Sequence, residues 1–367
     1  MAEAAAGRDK ITDATAALFA DSAKIPERFI RTNEVQAAGT VVVGEGEASS
    51  ELPVVDMARL LDPELSAQET AKLGSACREW GFFQLVNHGV EEAAVQQIKD
   101  SVAQFFSLPL EAKNTVAVRE GDGFEGFGHH FSGRASTDKL DWAECLLLFT
   151  RPVQIRNMDS FWPTNPPTFR HALDKYSVEI ENLARRLLSS MAVDLGVSQE
   201  ALLGAFFFGD DGAAGKGRQS VSMHHYPPCR HRDTVVGISP HTDTLGLTLL
   251  LQVDDTPGLQ VKRGGRWFPV RPLPGALVVN VGDALDVLTN GAYASVEHRV
   301  VPDAEGRRVT IAMFHDACVD GRVAPLPELL RGGEVPARYK SIGKLEYTKR
   351  SAEALAQGRR FLDSLKA

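Results

Sequence analysis

Cysteine is scarce and scattered: there are four in 367 residues, at positions 77, 145, 229 and 318, and no C-x-x-C pair. A zinc knuckle or a disulfide framework is therefore not expected, and a reducing compartment, the cytoplasm, is the expected setting. Long apolar runs are also missing. No stretch approaches the roughly 20 residues that a membrane-spanning helix needs. The segment Met1 to Lys10 lacks the apolar core of a secretory signal. Positive charge is in deficit, with 40 Lys and Arg against 48 Asp and Glu, for a formal net charge of -8. A phosphate lattice selects basic surfaces, so neither nucleic acid nor a membrane is an expected partner. Internal repeats are absent. What remains is the composition of a soluble globular protein, 43% hydrophobic and 24% charged.

The chain changes texture along its length. Residues 1–50 read as an extension, with a short helix expected from Asp13 to Ala23 and a Gly/Glu/Ser-rich linker from Gly39 to Ser50. Leu52-Pro-Val-Val-Asp56 and Gly81-Phe-Phe-Gln-Leu-Val86 read as strands, while 66–80, 91–107 and 167–195 carry apolar residues at helical spacing. Beyond about Ser220, short β-rich runs such as Thr248–Val253, Leu277–Val281 and Val309–Phe314 alternate with Gly, Pro and Asp turns. That pattern fits an antiparallel sandwich or barrel and not βαβ units. The expected organisation is an extension (1–50), a helical N-terminal region (51–215), a β core (216–330) and a helical C-terminal segment (331–367).

Chemistry concentrates in the β-rich half. His241-Thr242-Asp243 places an imidazole and a carboxylate two residues apart, on one face if the run is a strand. His298, within the β-prone Ser295–Val301, is the candidate third ligand. Two imidazoles and one carboxylate without a thiolate suit iron(II) and leave coordination positions open. Arg308 and Thr310, a cation and a hydroxyl two residues apart, suit capture of a carboxylate. Pro302-Asp-Ala-Glu-Gly306 is a strong turn signal. A hairpin through it, pairing Val301 with Arg307, would set His298 opposite Thr310 and Val300 opposite Arg308. A second H-x-D, His231-Arg232-Asp233, follows Pro227-Pro228 in a polar stretch and reads as a solvated turn. It spells the H-R-D of kinase loops, but no Gly-rich phosphate loop or D-F-G accompanies it.

Several collinear segments carry a family likeness: Ile25-Pro-Glu-Arg-Phe-Ile30, Trp80-Gly-Phe-Phe-Gln-Leu-Val-Asn-His-Gly89, Lys139-Leu-Asp-Trp142, His225-Tyr-Pro-Pro-Cys229, Ser239-Pro-His-Thr-Asp243, Asn280-Val-Gly-Asp283 and Ser295-Val-Glu-His-Arg-Val300. From about residue 20 to the end, the chain resembles the plant iron(II)/2-oxoglutarate-dependent dioxygenases, in the branch of flavonoid, alkaloid and senescence-related oxygenases. The resemblance implies a mainly β fold with flanking helices: a double-stranded β-helix (jelly roll) core with a helical N-terminal region. It implies iron on His241, Asp243 and His298, and 2-oxoglutarate held by Arg308, Thr310 and Tyr226. Molecular oxygen would be consumed, ascorbate would serve as reductant, and a monomer is expected. Phe314 matches a position that faces the organic substrate, and Phe127 and His130 are further pocket candidates. Phe206–Phe208, Trp80, Phe82 and Phe83 are expected in the core. Two departures stand out. Thr310 replaces the family's usual serine, and His224 stands where relatives often have asparagine. The implied activity is hydroxylation, desaturation or demethylation of a flavonoid, alkaloid, terpenoid or indoleamine such as melatonin. Alternatives are an iron oxidase that does not use 2-oxoglutarate, and a β-barrel that binds ligand without turnover.

Overall fold

Alternation of apolar and polar residues organises the C-terminal half of the chain. In the computed structural model, which describes residues 8–20, 25–31, 51–119, 123–129, 139–207, 218–319, 321–357 and 359–367, these runs become two facing sheets. The linker expected at 39–50 lies outside the described residues. The N-terminal region contributes β1 (Val54–Asp56), β2 (Phe82–Val86), β3 (Gly126–His129) and β4 (Glu144–Arg151). Next come β5 (Gln219–Tyr226), β6 (Ile238–His241), β7 (Leu247–Gln252) and β8 (Leu259–Arg263). The last of the two-sheet core are β9 (Arg266–Pro269), β10 (Leu277–Val281), β11 (His298–Val300) and β12 (Arg308–His315). Eight of them pair in the order β1-β2-β10-β7-β12-β5-β4-β3, and four in the order β6-β11-β8-β9. This is the jelly-roll core with flanking helices. The N-terminal region is built into it, because β1-β2 and β4-β3 supply both edges of the large sheet.

Successive side chains along a strand point to opposite faces, and each face of the large sheet has its own task. Val221 and Met223 of β5, Val309, Ile311 and Met313 of β12, and Leu247, Leu249 and Leu251 of β7 belong to the main hydrophobic core. That core includes the helix Phe169–Leu195, whose Tyr176, Ile180, Leu183, Leu187 and Leu188 are fully buried. Burying each such side chain contributes about 1.5–3 kcal/mol, so the apolar face sets the register. A slip of one residue would turn Arg308 and Thr310 toward those leucines. The helix stops at Gly196, whose φ of +69° suits glycine and whose N–H caps the Ala192 and Val193 carbonyls. Helix boundaries at Ser66–Glu79 and Glu92–Ser107 follow the sequence periodicity closely, and Asp13–Ala20 is helical as expected.

The expected hairpin between β11 and β12 does not form. β11 is flanked by β6 and β8 in the small sheet, and β12 by β5 and β7 in the large one. Both edges of each strand are therefore occupied, and 302–307 crosses from one sheet to the other. Hydrogen bonds from Val301 N–H to the Gly258 carbonyl and from Cys229 N–H to the Asp303 carbonyl steer the crossing. The partners differ accordingly: His298 lies opposite His241, Thr310 opposite His224, and Arg308 opposite Tyr226.

Candidate active site

β6 ends at His241, so Asp243 lies in the turn that follows and not on the strand itself. The turn is pinned to the end of β10: Asp283 N–H donates to the Asp243 carbonyl, and Gly282 N–H to that of Gly246. A Cβ at Gly282 would collide with the Leu245 carbonyl oxygen, which explains the glycine in Asn280-Val-Gly-Asp283. Folded this way, His241 Nε2 and His298 Nε2 each lie 3.6 Å from Asp243 Oδ1. One ligand atom from each residue falls within 4.8 Å of the others, the one such group of three or more among the described residues. Nδ1 of His241 donates to the Ser239 carbonyl at 2.9 Å, and Nδ1 of His298 to that of Val296 at 3.2 Å. A carbonyl can only accept, so both rings carry their proton on Nδ1 and offer Nε2. Asp243 Oδ2 accepts from Thr248 Oγ1 at 2.6 Å and Asn280 Nδ2 at 2.8 Å, leaving Oδ1 to face the imidazoles.

The electrostatics fit a cation. Burial alone would push the Asp243 carboxyl up, but His298, His241 and Asn280 outweigh it and hold its pKa well below the carboxylate range. Burial and the neighbouring His241 depress His298 to about 4, so it is neutral at physiological pH. Burial would depress His241 too, but its hydrogen bond and attraction to Asp243 raise it. Asp243 therefore favours the protonated form of His241, and a divalent cation at Nε2 would compete with that proton. One carboxylate and two neutral imidazole nitrogens are a donor set suited to iron(II).

Across the cavity lies a second constellation. Arg308 is fully buried, and its Nε and Nη1 find no hydrogen-bond partner among the described residues, while Nη2 donates to Gln252 Oε1 at 3.3 Å. A buried guanidinium with unused donors is costly unless an anion completes it, and its planar fork matches a carboxylate. Tyr226 lies beside it, its ring centre 5.2 Å from the guanidinium carbon. The Tyr226 hydroxyl is in hydrogen-bond contact with Thr310 and Arg308. Both constellations line one cavity of about 160 Å³ between the sheets.

Residues 217–317 match the profile of the 2OG-Fe(II) oxygenase superfamily, and 52–165 that of the non-haem dioxygenase in morphine synthesis N-terminal family. S-norcoclaurine synthase 1 of Coptis japonica is 39% identical over 345 residues, 93% of this chain and 92% of that one. The chain belongs to the 2OG-Fe(II) oxygenase superfamily. This oxygenase is also similar to the oxoglutarate-dependent flavonoid 7-O-demethylase 1 of Ocimum basilicum, at 35% identity over 94% of this chain and 88% of that one. A crystal structure of JOX2 in complex with 2OG, Fe and JA matches with a TM-score of 0.79 and 28% identity, covering 98% of both chains. The protein is thus a 2-oxoglutarate-dependent dioxygenase that uses iron(II).

Not every pocket residue expected in the oxygenase lies where the sequence suggested. Phe314 lines the cavity. Phe127 does not: in Gly126-Phe127-Gly128 it turns into the helical core, 5.9 Å from the Phe105 ring and beneath the Lys113 ammonium. His130 and Phe208 lie outside the described residues. Phe206 is buried in the core. His231-Arg232-Asp233 sits in an exposed turn. Phe82 is core as expected, but it also lines the cavity and meets the His298 ring edge-on at 5.1 Å. Thr248 and Asn280 were missed as Asp243 partners. Their signal was present, since each is a polar residue inside an apolar strand and must find a buried partner. His224 lines the cavity beside Thr310, stacked on Tyr226 at 5.7 Å, and burial depresses it to about 3, which makes it a neutral imidazole.

Proposed function

We propose that His241, Asp243 and His298 hold the iron, that Arg308, Thr310 and Tyr226 hold the distal carboxylate of 2-oxoglutarate, and that the rest of the cavity receives a small, largely aromatic metabolite. The carrying observation is that the buried Arg308, with donors unused, opens onto the same cavity as the two-histidine, one-carboxylate cluster. Iron so placed would supply the oxidation, using O2 and 2-oxoglutarate with release of succinate and CO2, to hydroxylate, desaturate or demethylate the substrate, with ascorbate as reductant.

The residues of the chain do the rest. Thr248 and Asn280 fix the Asp243 carboxylate, and the Ser239 and Val296 carbonyls fix the imidazole tautomers. Arg308 orients the co-substrate by a two-point contact, which turns an encounter into a held geometry. Phe82, Ile238, Leu250, Leu259 and Val300 form an apolar wall that excludes water. Phe314, Leu147 and Ala312 leave an apolar space that suits a flat ring system. Of the candidate substrates, a flavonoid, alkaloid, terpenoid or indoleamine, similarity to a flavonoid 7-O-demethylase and to S-norcoclaurine synthase 1 favours the first two. Four buried cysteines without a disulfide among the described residues support a reducing compartment such as the cytoplasm. No helix among the described residues is long and apolar enough to cross a membrane.

Succinate release with iron(II), ascorbate and 2-oxoglutarate, over a panel of such compounds, tests this reading. Substrate-dependent succinate is expected. Product formed without 2-oxoglutarate would show an oxidase instead, and tight iron binding with no succinate from any compound would show a binding protein.

A further inference from the structure

His241 is carried by the weakest strand of the site. β6 is an edge strand of the small sheet, four residues long, paired on one side only and with an irregular register against β11. Just ahead of it in the chain, Val235 enters a small separate core with Phe29, Leu140, Trp142 and Cys229. Trp142 packs edge-on against Phe19 and Phe29 at 4.9 and 5.3 Å, and its indole N–H donates to the Pro227 carbonyl. The main chain ties the pieces together: Arg31 N–H donates to the Thr234 carbonyl, Leu140 N–H to that of Arg28, and Trp142 N–H to that of Val236.

Between this core and the site runs a buried polar line. Arg31 and Asp141 form an ion pair at 3.3 Å, at 8% and 1% exposure. Ser239 donates its hydroxyl to Asp141 Oδ1 at 2.6 Å, and its backbone N–H bonds the same carboxylate. The Ser239 carbonyl then accepts the Nδ1–H of His241. Two conspicuous sequence segments, Lys139 to Trp142 and Ser239 to Asp243, together with Arg31 at the end of a third, Ile25 to Ile30, thereby converge on one ring. We propose that Asp141, held by Arg31, is a positioning residue that acts through Ser239 to aim Nε2 of His241 at the metal. An edge strand cannot orient the ring through its own ladder, so the carboxylate supplies the missing second flank. Outer partners of this kind tune metal affinity by about 10- to 100-fold.

Cobalt(II) in place of iron reads metal geometry directly through its visible absorption. Ser239→Ala and Asp141→Asn should weaken cobalt binding about 10- to 100-fold and shift that absorption. Trp142→Phe loosens the same small core without touching the polar line. It should lower the melting temperature and leave cobalt affinity and spectrum unchanged. Ser239→Ala preserves the Arg31–Asp141 pair, so it decides the matter alone if Asp141→Asn does not fold. Unchanged affinity and spectrum in Ser239→Ala would overturn the proposal, and so would a loss no larger than that of Trp142→Phe. The proposal rests on His241 and Asp243 being ligands. Cobalt binding that survives Asp243→Ala would overturn that assignment itself, whatever the other variants show.

Discussion

β12 carries Arg308 and Thr310 across eight residues in the interior of the large sheet, paired along its length with β5 and over six residues with β7. β6 and β11 carry His241 and His298 on strands of four and three residues in the small sheet. In the first region a continuous ladder fixes which way every second side chain points. In the second the ladder is too short for that, and side-chain hydrogen bonds take over: Ser239 and Val296 carbonyls for the rings, Thr248 and Asn280 for the carboxylate. Thr248 and Asn280 belong to β7 and β10, so the well-ordered sheet holds a ligand on behalf of the other. The proposed co-substrate anchor therefore depends on backbone pairing, and the proposed metal anchor on individual polar contacts.

The largest effect should come from Asp243→Ala, which removes the one anionic member of the proposed ligand set. Succinate release should fall to background, and residual turnover of even a few per cent would break the assignment of the metal region. Arg308→Met comes next. It should raise the KM for 2-oxoglutarate about 10- to 100-fold, the range of hydrogen bonds to charged groups, and leave metal affinity without co-substrate intact. An equal fall in metal affinity would show that the two regions are not separately held. Asn280→Ala leaves Asp243 Oδ2 with Thr248 alone, so iron affinity should drop about tenfold. At saturating iron the KM for 2-oxoglutarate should stay where it was, and a titration at two iron concentrations separates the two. His231→Ala, in the exposed second H-x-D, should shift stability by less than about 0.5 kcal/mol. Turnover should remain near normal, and loss of activity there would redraw the ligand set.

Much of this was legible in the sequence, and what was not has physical reasons. Ligand types are properties of single residues, so the proposed set His241, Asp243 and His298, which the fold brings together, could be picked out by chemistry, and β7, β10 and β12 from their β-rich runs. Strand partners are properties of the whole roll. Pro302–Gly306 signals a turn equally well for a hairpin and for a crossing between sheets, and only the strands already flanking β11 and β12 decide. Facing follows from pairing. Phe82 and Phe127 are both aromatic residues in short strands, yet one turns to the cavity and the other into the helical core.

The position of the N-terminal strands limits how this enzyme can be divided. Without β1 to β4, the large sheet would shrink to β10-β7-β12-β5, with β10 stripped of β2 and β5 stripped of β4. Two bare flanks on either side of the co-substrate anchor would invite edge-to-edge aggregation. A fragment starting near residue 216 would hold every proposed ligand and still be a poor protein, so the enzyme has to be transplanted, fused or evolved as one piece.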